Sequence, residues 1–165
     1  GTGPFAVVSN SDENLSRQRH VWQCVTSAQC WSLRQFLHAV RGRQGAFLVP
    51  TFRSDLILAR PVGAADMSLY VRNGGFTRNM GGGSLRRYVA FRQPLAEIIV
   101  RKVSGFSVVN SCEEKIDLDA APRRAFSTGT ALSWVDKCRL ADDAVGFQWQ
   151  GHGELSCAVD LVRCP

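Results

Sequence analysis

The sequence predicts a mainly β (α+β) fold: a β-barrel- or sandwich-like domain with one principal α-helix at about residues 27–41 and an inserted β/loop region. Three observations lead there. Short runs rich in β-branched and aromatic residues recur between clusters of Gly, Pro, Asn and Asp. Only one stretch, Cys30 to Val40, carries its apolar residues at helical spacing. The end of the chain alternates apolar and polar residues on both sides of Gly151-His152-Gly153. Many short strands expose many edges, and a barrel or sandwich is the natural way to hide them.

Taken in order, residues 1–18 are polar and turn-rich after a short apolar run at Phe5–Val8. Arg19–Val25 reads as a strand. Thr26-Ser27-Ala28-Gln29 has the form of a capping box, in which a hydroxyl bonds the amide three residues on and a Gln bonds back. The helix that follows has an apolar stripe of Cys30, Leu33, Phe36, Leu37 and Val40. Arg34, His38 and Arg41 share a polar face, and Gly42 and Gly45 are expected to supply the left-handed stop. Ala46–Phe52 and Asp55–Arg60 read as strands, as do Ser68–Val71, Arg87–Phe91, Ile98–Ser104, Phe106–Val109 and Glu114–Leu118. Arg72–Ser84 holds five glycines in thirteen positions and reads as a loop. Val145, Phe147 and Trp149 alternate into a terminal hairpin with Leu155, Cys157, Val159 and Leu161.

A chain of 165 residues buries roughly 70% of its unfolded surface, enough for one domain spanning 1–165. With 45% hydrophobic and 21% charged residues it is not a disordered tail, and no apolar run reaches membrane-spanning length. Six scattered cysteines, without a C-x-x-C pair, argue against a zinc knuckle and read as reduced apolar fillers. The net charge of +6 comes from a basic set of 17 Arg and 3 Lys. Arginine's planar, weakly hydrated fork suits protein–protein interfaces, where it is enriched and lysine depleted.

Signatures of catalysis are sparse: there is no G-x-S-x-G, no H-E-x-x-H and no Walker A loop. A serine, His152 and Asp160 have no local reason to form a triad, and the chain reads as a non-enzyme without cofactor or metal. Asp117 and Asp119 alternate with Ile116 and Leu118, so they read as the wet face of an edge strand rather than half of a calcium site. Asp142-Asp143 reads as a turn. Arg72, Arg78, Arg86 and Arg87 in the Gly/Arg-rich segment 72–87, with Arg34 and Arg41 on the helix, are the candidate assembly-interface residues. Segment 72–87 is expected to order only against a neighbouring subunit. The alternative, a basic nucleic-acid-contacting protein, rests on pI ≈ 9.3 and on Arg87-Tyr88 and Phe91-Arg92, where a cation adjoins a ring.

Val21-Trp22-Gln23-Cys24-Val25, the helix ending Leu33–Gly45 and then Ala46-Phe47-Leu48-Val49-Pro50-Thr51 together resemble the distal-tail and minor tail proteins of long-tailed bacteriophages. Those proteins show a strand, a helix with a "FL…R-G" end, and an aromatic-rich strand running into Pro. The resemblance covers residues 19–60 and, more loosely, 132–162, where Val145–Val162 takes the part of the closing strand pair. Residues 61–131 stand as an insertion. The resemblance implies a β-barrel-like, non-enzymatic tail-tip or baseplate subunit in the virion, assembled in the host cytoplasm. It also implies a hexameric or trimeric ring as partner to itself, between the tail tube and the hub or receptor-binding proteins.

Overall fold

The computed structural model describes residues 17–80, 87–93, 97–150 and 154–164. Strand outweighs helix, 47% to 13%, so the fold is mainly β as expected. Among the described residues the elements run β1 (Arg17–Cys24), α1 (Ser27–Val40), β2 (Ala46–Pro50), β3 (Leu56–Ile57), β4 (Ser68–Arg72), α2 (Phe76–Met80), β5 (Tyr88–Phe91) and β6 (Ile99–Val108). β7 (Glu113–Leu118), β8 (Ala131–Leu140), β9 (Gln148–Trp149) and β10 (Leu155–Arg163) follow. No helix among them is long and apolar enough to cross a membrane. Contacts divide the described residues into two compact units: those up to 46 with those of 138–164, and those of 47–137. The stretch 61–131, expected as an insertion, lies within the second unit.

In the first unit β1 pairs antiparallel with β10 over its whole length, from Arg17↔Val162 to Cys24↔Leu155. The sequence-based hairpin therefore shrinks. β9 holds only two residues against β10, while β1 runs along the other edge of that strand from Leu155 to Val162. The turn expected at 151–153 lies outside the described residues.

Helix α1 starts as its capping sequence specifies. The Thr26 hydroxyl accepts from the Gln29 amide at 3.2 Å, and Gln29 Oε1 accepts in return from the Val25 amide at 2.8 Å. Cys30 and Val40 are buried, and Phe36 meets Trp22 edge-on at 5.7 Å. The stop differs from expectation. Arg41 itself takes the left-handed conformation, with φ 53°, and Gly42 continues it at φ 63°. Gly45 is needed for close approach instead. Its amide donates to the Val40 carbonyl at 2.8 Å, where a Cβ would lie 2.3 Å from that oxygen.

The second unit is a curled antiparallel sheet. β5 joins β8 to β6, β7 joins β6 to β4, and β3 lies on β8. Expected as two strands, 98–104 and 106–109 form the single strand β6. It pairs β5 up to Lys102, then passes a bulge between Val103 and Gly105 and pairs β7. A strand that changes partners at a bulge turns a corner in the sheet. The expected barrel does not close: β4 meets the β3 segment only through an isolated Leu58–Val71 bridge and the Ala59 amide donating to Tyr70 O. Inside the curl lie Leu56, Leu58, Leu69, Val89, Phe91, Ile116 and Leu132, all at most 1% exposed, with Phe91 and Phe126 rings 4.7 Å apart.

β8 was not anticipated. Leu132 through Asp136 are buried without interruption, so the strand lacks the alternation that marks a half-buried one. β7 corrects a second reading. It lies between β4 and β6 rather than at an edge, and Asp117 is held by Lys115 at 2.9 Å and the Ser68 hydroxyl at 2.7 Å.

The strict alternation of β7 places Glu114 on the buried face with Ile116 and Leu118, and Glu114 is fully buried. Its carboxylate accepts from the amides of Gly74 at 3.1 Å, Phe76 at 2.9 Å and Thr77 at 2.6 Å, and from the Thr77 hydroxyl at 2.7 Å. Residues 74–77 of the glycine-rich segment are thus anchored by their own chain. Burial pushes the Glu114 carboxyl up. The Thr77 amide and hydroxyl and the neighbouring amides outweigh that and hold it below the usual carboxylate range. A depressed folded-state value stabilises the fold above the ordinary glutamate range and ceases to do so as pH falls through it. Glu114→Gln is expected to lower stability by about 2–3 kcal/mol near neutral pH, read by urea unfolding. The gap to wild type should narrow with acidification; a gap unchanged in acid would show that shape, not charge, holds the segment.

Candidate functional site

Arg34 occupies the centre of the most distinctive surface in the first unit. Helix α1 presents Trp31, Arg34 and His38 along one side, and Arg41 follows at its left-handed C-cap. The Arg34 guanidinium carbon lies 5.8 Å from the Trp31 ring centre, 5.9 Å from Phe147 and 5.5 Å from Trp149. Trp31 is a helical neighbour at i−3; Phe147 and Trp149 arrive on the segment leading into and through β9. Both tryptophans remain open to solvent, at 63% and 55% exposure. Each such contact contributes about 0.5–1 kcal/mol at an exposed site.

Toward the C-terminal end of α1 a groove of about 530 Å³ opens. Arg34, His38 and Arg41 supply its basic rim, and Leu37, Leu140 and Phe147 its apolar wall. Asp143 also reaches the groove, but it is already engaged. Its Oδ1 accepts from the Arg43 amide at 2.8 Å and its Oδ2 lies 3.4 Å from the Arg43 guanidinium. That amide bond, more than the Arg43 charge, holds the carboxyl below its usual range. Among the described residues no carboxylate pairs with Arg34 or Arg41. On the other side of Arg34 a smaller pocket of about 160 Å³ is lined by Ser27, Cys30, Trp31 and Trp149.

No protein-family model and no curated protein matches the chain.

Of the sequence-predicted interface residues, the structure brings Arg34 and Arg41 together on the groove. Arg72 at the end of β4, Arg78 on α2 and Arg87 before β5 are exposed in the second unit, and Arg86 lies outside the described residues. The ring–cation pairs behind the nucleic-acid alternative fare differently. Phe91 is 1% exposed in the core, and Arg92 stacks over Phe52 at 5.4 Å, so that pair offers no open stacking platform. His38 stands exposed on the groove rim, His20 lies 3.3 Å from Gln18 Oε1, and His152 is outside the described residues. Among the described residues no three metal-ligating side chains converge.

Sequence reasoning missed Trp31, Phe147 and Trp149. The i, i+3 spacing of Trp31 and Arg34 was available as a signal; the other two rings required the pairing of β9 with β10.

Gly42 shapes the groove's end. Its φ is +63°, and a Cβ there would lie 2.4 Å from Asp143 Oδ1 and 2.9 Å from the Asp143 Cα. Gly42→Ala is expected to cost about 1–3 kcal/mol in thermal or urea unfolding. Unchanged stability would mean that the Asp143 turn moves aside freely.

Proposed function

We propose that this chain is a non-enzymatic structural subunit that docks onto neighbouring subunits through the α1 face centred on Arg34. The observation that carries the reading is the Trp31–Arg34–Trp149 cluster: two largely exposed tryptophans around an arginine that has no acid partner among the described residues. Trp and Arg dominate interface hot spots because they combine large apolar area with directional charge. Leaving two indoles in water is unfavourable for an isolated subunit, at about 25 cal/mol per Å² of apolar surface, and a covering neighbour removes that cost.

Within the class of structural subunits, the resemblance of residues 19–60 supports a tail-tip or baseplate component of a long-tailed bacteriophage. Such a subunit forms a hexameric or trimeric ring between the tail tube and the hub or receptor-binding proteins, and its place is the virion, after assembly in the host cytoplasm. In a ring each subunit presents one face to the next, so one chain carries two different complementary surfaces. The α1 face is one of them, and the exposed Arg72, Arg78 and Arg87 side chains are candidates for the other.

Light scattering with electron-microscope class averages tests this. Wild type is expected to form a closed ring of six or three subunits. Trp31→Ala and Arg34→Ala are each expected to weaken association by about 30-fold or more while the melting temperature stays within about 2 °C. A wild-type monomer whose Arg34 is needed instead for steeply salt-dependent binding of a single-stranded oligonucleotide would replace this reading with the nucleic-acid one.

A further inference from the structure

Cys24 and Cys30 stand on either side of the two-residue turn, Val25-Thr26, between β1 and α1. The alternation of β1 turns Cys24 inward, and the first turn of α1 turns Cys30 toward it. The two pack in one buried cluster with Leu155, flanked by Leu33 and Phe147, at 7% and 5% exposure. The Cys24 thiol lies within hydrogen-bond reach of the Cys30 sulfur; burial, then the neighbouring Cys30 charge and that bond, push it up. Cys157 lies diagonally across from Cys24 on the same face of the β1–β10 pair and is 1% exposed.

Cys30 also lines the small surface pocket beside Trp31, Arg34 and Trp149. A reagent in that pocket meets Cys30 with Arg34 on the same lining. We propose that Cys30 and Cys24 form a thiol–disulfide couple: a small anionic disulfide such as oxidised glutathione exchanges with Cys30, and Cys24 resolves the adduct. In the first step the Cys30 sulfur, having lost its proton, attacks one glutathione sulfur. The Cys30–glutathione S–S bond forms, the glutathione S–S bond breaks, and one reduced glutathione leaves with a proton. In the second, the Cys24 sulfur, having given up its proton, attacks the Cys30 sulfur; the intramolecular S–S bond forms, the Cys30–glutathione S–S bond breaks, and the second reduced glutathione leaves with that proton. Two thiols are oxidised and one disulfide is reduced. Arg34 provides a cation for the reagent's carboxylates. The product ties the end of β1 to the first turn of α1 across the Thr26 cap. This inference does not rest on the assembly reading, but its pocket shares Trp31, Arg34 and Trp149 with the docking face, so it concerns the subunit before assembly.

The test uses the reduced wild-type chain with oxidised glutathione, followed by alkylation in denaturant and tryptic mapping without reduction. Cys24 and Cys30 fall in one tryptic peptide, His20–Arg34. The expected product is that peptide lighter by two hydrogens and carrying no alkyl group. Cys24→Ser is expected to leave glutathione on Cys30, and Cys30→Ser to leave Cys24 fully alkylated. The inference is overturned if both thiols are alkylated once the exposed Cys112 is fully glutathionylated, or if Cys24 is instead joined to the peptide holding Cys157.

Discussion

Strand β8 is the constraint on which the rest of the molecule depends. Its first half pairs with β5 and carries Leu132 and Trp134 into the second unit's core. Its last three residues pair with β10 in the first unit. A strand buried on both faces has no solvated side to take its polar groups, so each needs a partner within the protein. The loop before β3 supplies two of them. Asp55 accepts from the Trp134 amide at 2.8 Å, and the Arg53 carbonyl accepts from the Ser133 hydroxyl at 2.6 Å. The Thr51 hydroxyl in turn donates to Asp55. The segment from Thr51 to Asp55, whose ends read as strand in the sequence, is therefore the polar lining of β8.

This explains which elements were legible. β1, β7 and α1 have one wet side and one dry side, and alternation or helical spacing reports that directly. β8 has no wet side over Leu132–Asp136, and its Ser133 and Asp136 break up the apolar run that would otherwise betray a buried strand. The glycine-rich segment misled for a different reason. Composition reports the freedom of residues 72–84 taken alone; it says nothing of a carboxylate forty positions away that collects three amides and a hydroxyl. The sign was present, since Glu114 occupies an inward position of an otherwise apolar alternation. A charge on a dry face must be paired or richly hydrogen-bonded, so such a position implies donors that local sequence does not contain.

The candidate surface was half legible by the same logic. Arg34 and Arg41 share a helix face, which spacing alone shows. Their environment does not follow from spacing, because Phe147 and Trp149 reach Arg34 only after the chain has returned along β9. The expected alternation of Val145, Phe147 and Trp149 assigned these residues to a regular hairpin. Instead Val145 and Phe147 precede the short strand and turn toward α1, lining the groove.

The treatment of arginine differs between sites in a way that bears on function. Arg60 is bidentate to Glu113 and stacks on Tyr70 at 4.2 Å, so both its charge and its flat face are used within the chain. Arg17 reaches Asp160 at 2.7 Å, and Arg43 is paired with Asp143. Arg34 alone among these has its face against three rings and no carboxylate among the described residues. Cation–π contacts orient a guanidinium without neutralising it, so the rings alone leave its N–H groups able to donate. A side chain immobilised in advance loses little entropy when that acceptor arrives. Exposed rings without a charge would mark a sticky patch, and an exposed charge without rings a mobile one. Together they make a fixed, directional donor set on an apolar platform, which is the form a specific docking surface takes.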